Sequence, residues 1–279
     1  TNYSGTGNTL NCANRNVREL IVESLRYWVT EMHVDGFRFD LAAIFTRASD
    51  GSILAADSPL TTAIRTDLVL RDVRLIAEPW DAEGLFELGS HFPGRFWHQW
   101  NSCFRDDVRR FVKGDPGMVP TLMRRLYGSD DLFPDTLREA CRPFYSVNFV
   151  NSHDGFTLYD LVSYSDRRNQ ANGHDNTDGV HDNDSWNCGW EGDQGAPAEV
   201  LALRSRQAKN FCCLLMLANG IPMFRAGDEF LQTQGGNSAG YLAFFSRSAA
   251  SFPTFSRKRA RRSLISLRSF SNDPLDFSN

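Results

Sequence analysis

No apolar run in the 279-residue sequence approaches the roughly 20 residues that a helix needs to cross a bilayer. The first residues, Thr1-Asn2-Tyr3-Ser4-Gly5, hold neither the basic start nor the apolar stretch of a secretory signal. A soluble protein with no membrane partner is expected. Charge of one sign is also lacking: 30 Lys and Arg stand against 34 Asp and Glu, a formal −4. So mild an imbalance supplies no electrostatic footprint for nucleic acid. Cysteine is scarce. Six residues (Cys12, Cys103, Cys141, Cys188, Cys212 and Cys213) fall into no C-x-x-C pair, which excludes a disulfide framework and the usual zinc and redox spacings and points to reduced thiols.

Several motifs are missing as well. Neither G-x-x-x-x-G-K-[ST] nor a strand-linked G-x-G-x-x-G occurs, Gly5-Thr6-Gly7 having no strand before it. Ser4, Ser152 and Cys188 lack the flanks of a nucleophile elbow. His174, Asp175, Asp178, His181, Asp182 and Asp184 fit neither a calcium loop nor an H-E-x-x-H helix. No metal and no cofactor are expected.

What remains has the composition of a globular domain, 41% hydrophobic and 23% charged. Val17, Leu20, Ile21, Leu25, Trp28, Val29 and Met32 recur at three and four, which predicts an amphipathic helix with Asn16 as its N-cap. Phe37, Phe39 and Leu41 alternate with Arg38 and Asp40, the period of a strand, so Arg38 and Asp40 share one face. Residues 73–78, 145–151 and 220–224 predict three more short strands, and residues 104–112 and 200–218 two more helices. Alternating helices and strands imply an α/β fold with a parallel sheet, either doubly wound or a (β/α)8 barrel. Residues 166–186, dense in Asn, Asp, Gly and His, predict a long polar loop able to line a pocket. From 238 the texture changes to Ser, Phe and Arg, with seven basic residues against two acidic. That stretch reads as a poorly ordered basic tail.

In parallel α/β folds the C-terminal strand ends converge on one mouth. Asp40 and Glu78 each close a strand, and Asp154 follows the third. Cleaving a glycosidic bond needs a proton donor for the leaving oxygen and a carboxylate at the anomeric carbon. Arg38, in phase with Asp40, keeps that carboxylate ionised and suits it to attack. Glu78 lies among Ala77, Pro79 and Trp80, an apolar shell that raises its pKa toward that of a general acid. His153 and Asp154 are candidates to bind sugar hydroxyls, while Trp80, Trp97 and Phe156 offer flat faces to sugar rings. Each has a structural alternative: a turn aspartate, a structural ion pair, a loop histidine, core aromatics.

Asp35-Gly36-Phe37-Arg38-Phe39-Asp40, Ala77-Glu78-Pro79-Trp80-Asp81 and Asn151-Ser152-His153-Asp154 resemble three of the four signature regions of the α-amylase superfamily. Asn2-Tyr3-Ser4-Gly5-Thr6-Gly7-Asn8, Arg26-Tyr27-Trp28-Val29, Asp154-Gly155-Phe156-Thr157-Leu158, Asn172-Gly173-His174-Asp175-Asn176 and Ala226-Gly227-Asp228-Glu229-Phe230 narrow the resemblance to the isoamylase and glycogen-debranching group. The resemblance implies Asp40 as nucleophile, Glu78 as general acid/base and Asp154 as the transition-state-stabilising carboxylate. It puts Arg38 and His153 at the same subsite. The implied reaction is retaining hydrolysis of α-1,6 branch points in an α-glucan (glycogen, amylopectin or limit dextrin). The family's first signature region would lie before Tyr3, and its last helix and β-domain would follow Asn237. The implied architecture is therefore an incomplete (β/α)8 TIM barrel, about strands 4 to 8, over residues 1–237, with the atypical tail over 238–279. Such a chain is expected to be unstable or inactive alone, though its intact parent would be an enzyme. Rival readings are a branching, transglycosylating sibling and a non-catalytic glucan-binding subunit. The expected compartment is the cytoplasm, with a plastid as the alternative.

Overall fold

The computed structural model describes residues 1–54, 58–93, 97–135 and 142–240. Cys141 and the tail from 241 lie outside them. Five strands are described: β1 (Gly36–Phe39), β2 (Arg74–Ala77), β3 (His98–Asn101), β4 (Ser146–Phe149) and β5 (Ile221–Met223). Around them lie α1 (Arg15–Thr30), α2 (Pro59–Thr66), α3 (Ser102–Lys113), α4 (Val119–Leu126) and α5 (Ala198–Leu217). Every pairing is parallel and the strand order is the chain order. This is an α/β fold with a parallel sheet.

The alternation at β1 sorts the two faces of the sheet. Phe37 and Phe39 turn toward a helix-side core of Val22 and Leu25 from α1, Leu60 and Ile64 from α2, and Phe45, Phe92 and Trp97. Arg38 and its register partner Ile76 lie on the other face, where Ile76 joins Trp100, Val147, Phe149, Trp80 and Met223 in a smaller cluster. A third core packs α3, α4 and α5 around Phe156, Leu158, Leu161 and Val162. Leu60, Ile64 and Phe104 are fully buried; each side chain contributes roughly 1.5–3 kcal/mol by leaving water.

Three details depart from the expectations. The first helix begins two residues earlier, with Asn14 as N-cap: its side chain accepts the N–H of Asn16, at 2.9 Å, so Asn16 is the capped donor. The first strand stops at Phe39, because Leu41 turns into the left-handed region at φ 44°. Strand β3 has no counterpart among the predicted strands. Its sequence, His98-Gln99-Trp100-Asn101, buries two amides, and polar residues at those positions hide the apolar run that marks a buried strand. Gln99 exchanges two hydrogen bonds with the Gly89 backbone, at 2.7 and 3.0 Å. Asn101 caps α3 through Phe104 N–H, at 2.8 Å, and donates to Ser129 and Ser146.

The predicted polar loop, 166–186, holds no helix or strand beyond one 3-10 turn at Gln170–Asn172. Buried Asn169 fixes it, donating to Asp178 O and accepting the N–H of Ser238. Ser238 and Ala239, which the compositional break assigns to the tail, are fully buried against this body.

Candidate active site

All five strands run the same way, so their C-terminal ends form one rim. The first two strands deliver Asp40 and Glu78 to neighbouring places on it, for the Glu78 N–H donates to Phe39 O at 3.1 Å. Arg38 lies between the two acids. Its Nη1 donates to Asp40 Oδ1 at 2.6 Å, and its Nη2 lies 3.1 Å from Glu78 Oε1. Two nitrogens of one guanidinium are about 2.3 Å apart, so the bridged oxygens are separated by about 8 Å at most.

The left-handed turn at Leu41 completes the arrangement. A leucine there costs on the order of 1 kcal/mol, and the turn aims the Leu41 N–H at Glu78 Oε2, 2.9 Å away. The next amide, of Ala42, donates to Glu78 O at 2.8 Å. Glu78 is thus gripped by side chain and backbone.

The two acids differ in exposure: the Asp40 side chain is 69% exposed, that of Glu78 only 7%. Burial is the main reason that the Glu78 pKa is pushed up to about 7. The Leu41 N–H and the Arg38 charge pull it back, and the charges of Asp40 and Asp154 push it further up. A carboxyl titrating there is part protonated at neutral pH, the condition for donating and then recovering a proton.

The third carboxylate comes from the far side of the rim. Beyond β4, Ser152 Oγ donates to Asp154 Oδ1 at 2.5 Å, and His153 Nδ1 lies 3.9 Å from the same oxygen. Burial raises the Asp154 pKa, but the Ser152 hydroxyl, His153 and Arg105 together outweigh it and hold the carboxyl below its ordinary value. Trp100 of β3 stands between the two halves of the site, its ring 4.1 Å from the Arg38 guanidinium carbon and 5.8 Å from the His153 ring.

An accessible carboxylate, a buried acid titrating near neutrality and a carboxylate kept ionised therefore share one rim. Among the described residues no group of His, Cys, Asp and Glu could hold a metal ion. A groove of about 910 Å³ between α1 and α2 holds none of the three acids.

No family model matches the sequence. Relatives do. The chain is 51% identical over 240 residues to isoamylase 3, chloroplastic, of Oryza sativa subsp. japonica, and 49% identical over 241 residues to a glycogen operon protein GlgX homolog of Mycobacterium tuberculosis. Each match covers 86% of this chain. The chain is similar to the isoamylase and glycogen-debranching group. It spans about 30% of the length of the rice isoamylase and 32% of the mycobacterial protein. Its fold is similar to a pullulanase from Bacillus acidopullulyticus, with a TM-score of 0.62 and 22% identity over 95% of this chain and 29% of that one. A pullulanase from Anoxybacillus sp. LM18-11 complexed with maltotetraose gives 0.58 at 24% identity, over 96% and 35% of the two chains.

Of the positions that the isoamylase resemblance and the sequence marked, Arg38, Asp40, Glu78, His153 and Asp154 gather on the rim. Trp80 lies beside them, half-buried, stacked on Phe86 at 6.4 Å with the rings 13° apart. Phe156 does not join them. It is fully buried in the core packed by α3, α4 and α5, 6.4 Å from Tyr164, with its N–H donated to Asn183, so it has no face to offer a sugar. Trp97 is buried in the same way, 4.8 Å from Phe39. An aromatic residue beside a polar motif fits a pocket wall and a core equally well, and spacing alone does not separate the two.

Sequence reasoning missed three contributors. The Leu41 amide acts through a backbone angle that no side chain announces. Arg105 lies in the first turn of α3, and its positive charge helps to lower the Asp154 pKa. Buried Arg109 donates to Val150 O at 2.7 Å and Asn183 O at 3.1 Å, fixing the end of β4. The paired arginines of Phe104-Arg105-Asp106-Asp107-Val108-Arg109, four apart on a helix leaving a strand end, were the available signal.

Proposed function

We propose that this chain carries the acid-bearing half of an α-1,6-glucosidase that debranches glycogen or starch with retention, built on strands 4 to 8 of a (β/α)8 barrel. The observation that carries the proposal is the shared Arg38 guanidinium, which sets exposed Asp40 beside buried Glu78. Asp40 attacks the anomeric carbon as the bond to the 6-oxygen breaks, and Glu78 gives its proton to that oxygen. Glu78 then takes a proton from water, whose oxygen displaces Asp40 from the sugar. Asp154, with its depressed pKa, stays anionic and stabilises the positive charge that develops on the ring. The arrangement of the acids supports this, and so do the likeness to an isoamylase and a glycogen operon protein and the maltotetraose held by one pullulanase. The rice relative is named as chloroplastic, which favours a plastid for plant members of the group.

Among the described residues strands β1 and β5 each have one neighbour and form the two edges of the sheet. The 279-residue chain by itself is therefore expected to turn over little glucan. The test is the release of reducing ends from amylopectin by a polypeptide that carries this segment within a sequence as long as its relatives'. Asp40→Asn and Glu78→Gln are each expected to lower the rate by about a thousandfold. Undiminished release by either variant refutes the assignment, and chain transfer without net reducing ends turns it into a branching activity.

A further inference from the structure

Trp100 is absent from every set of residues that the sequence marks for chemistry, and it lies on the one strand that the sequence hides. Its side chain is 8% exposed, so it is no sugar platform. It is held by the cluster on the inner face, 5.4 Å from the Phe149 ring and beside Val147 and Ile76. From there it meets both halves of the site. The Arg38 guanidinium lies 4.1 Å from its ring centre, within the range in which a cation is drawn to an indole face, and the His153 ring lies 5.8 Å away on the side of β4.

We propose that Trp100 is a positioning residue for the proposed reaction: its indole holds Arg38 between Asp40 and Glu78 and registers that pair against His153 and Asp154. Arg38 is an arginine with two acids to choose from, and one of them, Asp40, is exposed, so that pairing with it alone would draw the guanidinium outward. The indole beneath the guanidinium opposes that movement, since leaving the ring forfeits the cation–π attraction. Strands β1 to β4 thereby act together, although β3 contributes no acid.

The inference rests on the function proposed above, and its test reads a carboxyl rather than turnover, so that the two can fail separately. The groups that face Glu78 are Arg38, Asp40 and the Leu41 N–H from the β1 end and Asp154 from the β4 end. Of these only Arg38 answers directly to Trp100. The 279-residue chain, with glutamate labelled in its side-chain carboxyl carbon, is titrated by carbon NMR, and the Glu78 signal is assigned by its loss in Glu78→Gln. Trp100→Leu frees Arg38, and the Glu78 midpoint rises by about half a pH unit. Trp100→Phe keeps a smaller ring and moves the midpoint by less. A role confined to packing lowers the thermal midpoint of both variants and leaves the titration where it was. An unchanged Glu78 midpoint in whichever of the two variants folds overturns the proposal. If the shift appears but the longer polypeptide releases no reducing ends, the glucosidase reading fails and the Arg38 perch stands. In an active polypeptide Trp100→Leu lowers kcat and leaves KM unchanged, because the indole does not reach the sugar.

Discussion

The buried acid at position 78 has a consequence for stability that is separable from catalysis. Its carboxyl titrates near 4.5 as an ordinary glutamate and at about 7 in the folded chain. A raised carboxyl pKa means that the unfolded state ionises first as the pH climbs. The stability associated with a neutral Glu78 is fully present below about 4.5, falls between 4.5 and 7, and is gone above 7. The gap corresponds to about 3 kcal/mol. Glu87 complicates the measurement. It too is buried and pushed up to about 7 by burial, with the Thr46 hydroxyl lowering it, Asp81 raising it and Arg47 lowering it. The experiment is therefore a comparison of urea unfolding at pH 5 and pH 8 for the parent chain, Glu78→Gln and Glu87→Gln. Each variant is expected to lose about 3 kcal/mol less than the parent between the two pH values, and the double variant about twice that. Glutamine keeps an oxygen for the Leu41 amide, so the fold survives the change. If Glu78→Gln loses as much between pH 5 and pH 8 as the parent, the acid is not neutral in the folded state and its assignment as proton donor fails.

Two further expectations follow from packing, and one from titration. A methyl group on Gly36 would sit 2.3 Å from the Arg74 carbonyl oxygen, so Gly36→Ala should force β1 from β2 and cost about 1–3 kcal/mol, read by urea unfolding; an unchanged midpoint contradicts the pairing. Cys12 and Cys188 are buried and pushed up to about 11 by that burial, whereas Cys213 is exposed. Iodoacetamide at pH 8 should label Cys213 first and reach Cys12 and Cys188 only on unfolding, as peptide mass spectrometry will show. In an active polypeptide the rate should fall as the pH rises through about 7, because Glu78 must carry its proton; a flat alkaline side would speak against it.

The parts of the fold that were legible in the sequence are those in which one period dominates. Phe37 and Phe39 against Arg38 and Asp40 gave a strand and the face of its charges. The spacing of Val17, Leu20, Ile21, Leu25, Trp28 and Val29 gave the helix before it. The illegible parts are those in which a side chain satisfies the backbone instead of the core. Gln99 and Asn101 look like loop residues until the carbonyls and hydroxyls that they bond are seen. Asn14 and Asn16 are equally good caps on paper, and only the path of the turn selects one. The site was readable where chemistry requires ionisable groups, at Asp40, Glu78 and Asp154. It was unreadable where geometry is delivered by a backbone angle, at Leu41, or by an indole with no polar role, at Trp100. Phe156 misled because it follows exposed His153 and half-buried Asp154 closely in sequence while its own ring lies in the core.

The strand order, chain order throughout, sets a timetable for a nascent polypeptide. Each new strand docks on the one synthesised just before it, so the sheet grows from a single side as the chain leaves the ribosome. Asp40, Arg38 and Glu78 meet as soon as the second strand has emerged, while Asp154 arrives two strands later. Two acids are thus held in proximity by a cation for the whole interval before the third reaches them, and truncated nascent chains ending on either side of β4 should differ in the protease resistance of that last corner of the rim alone.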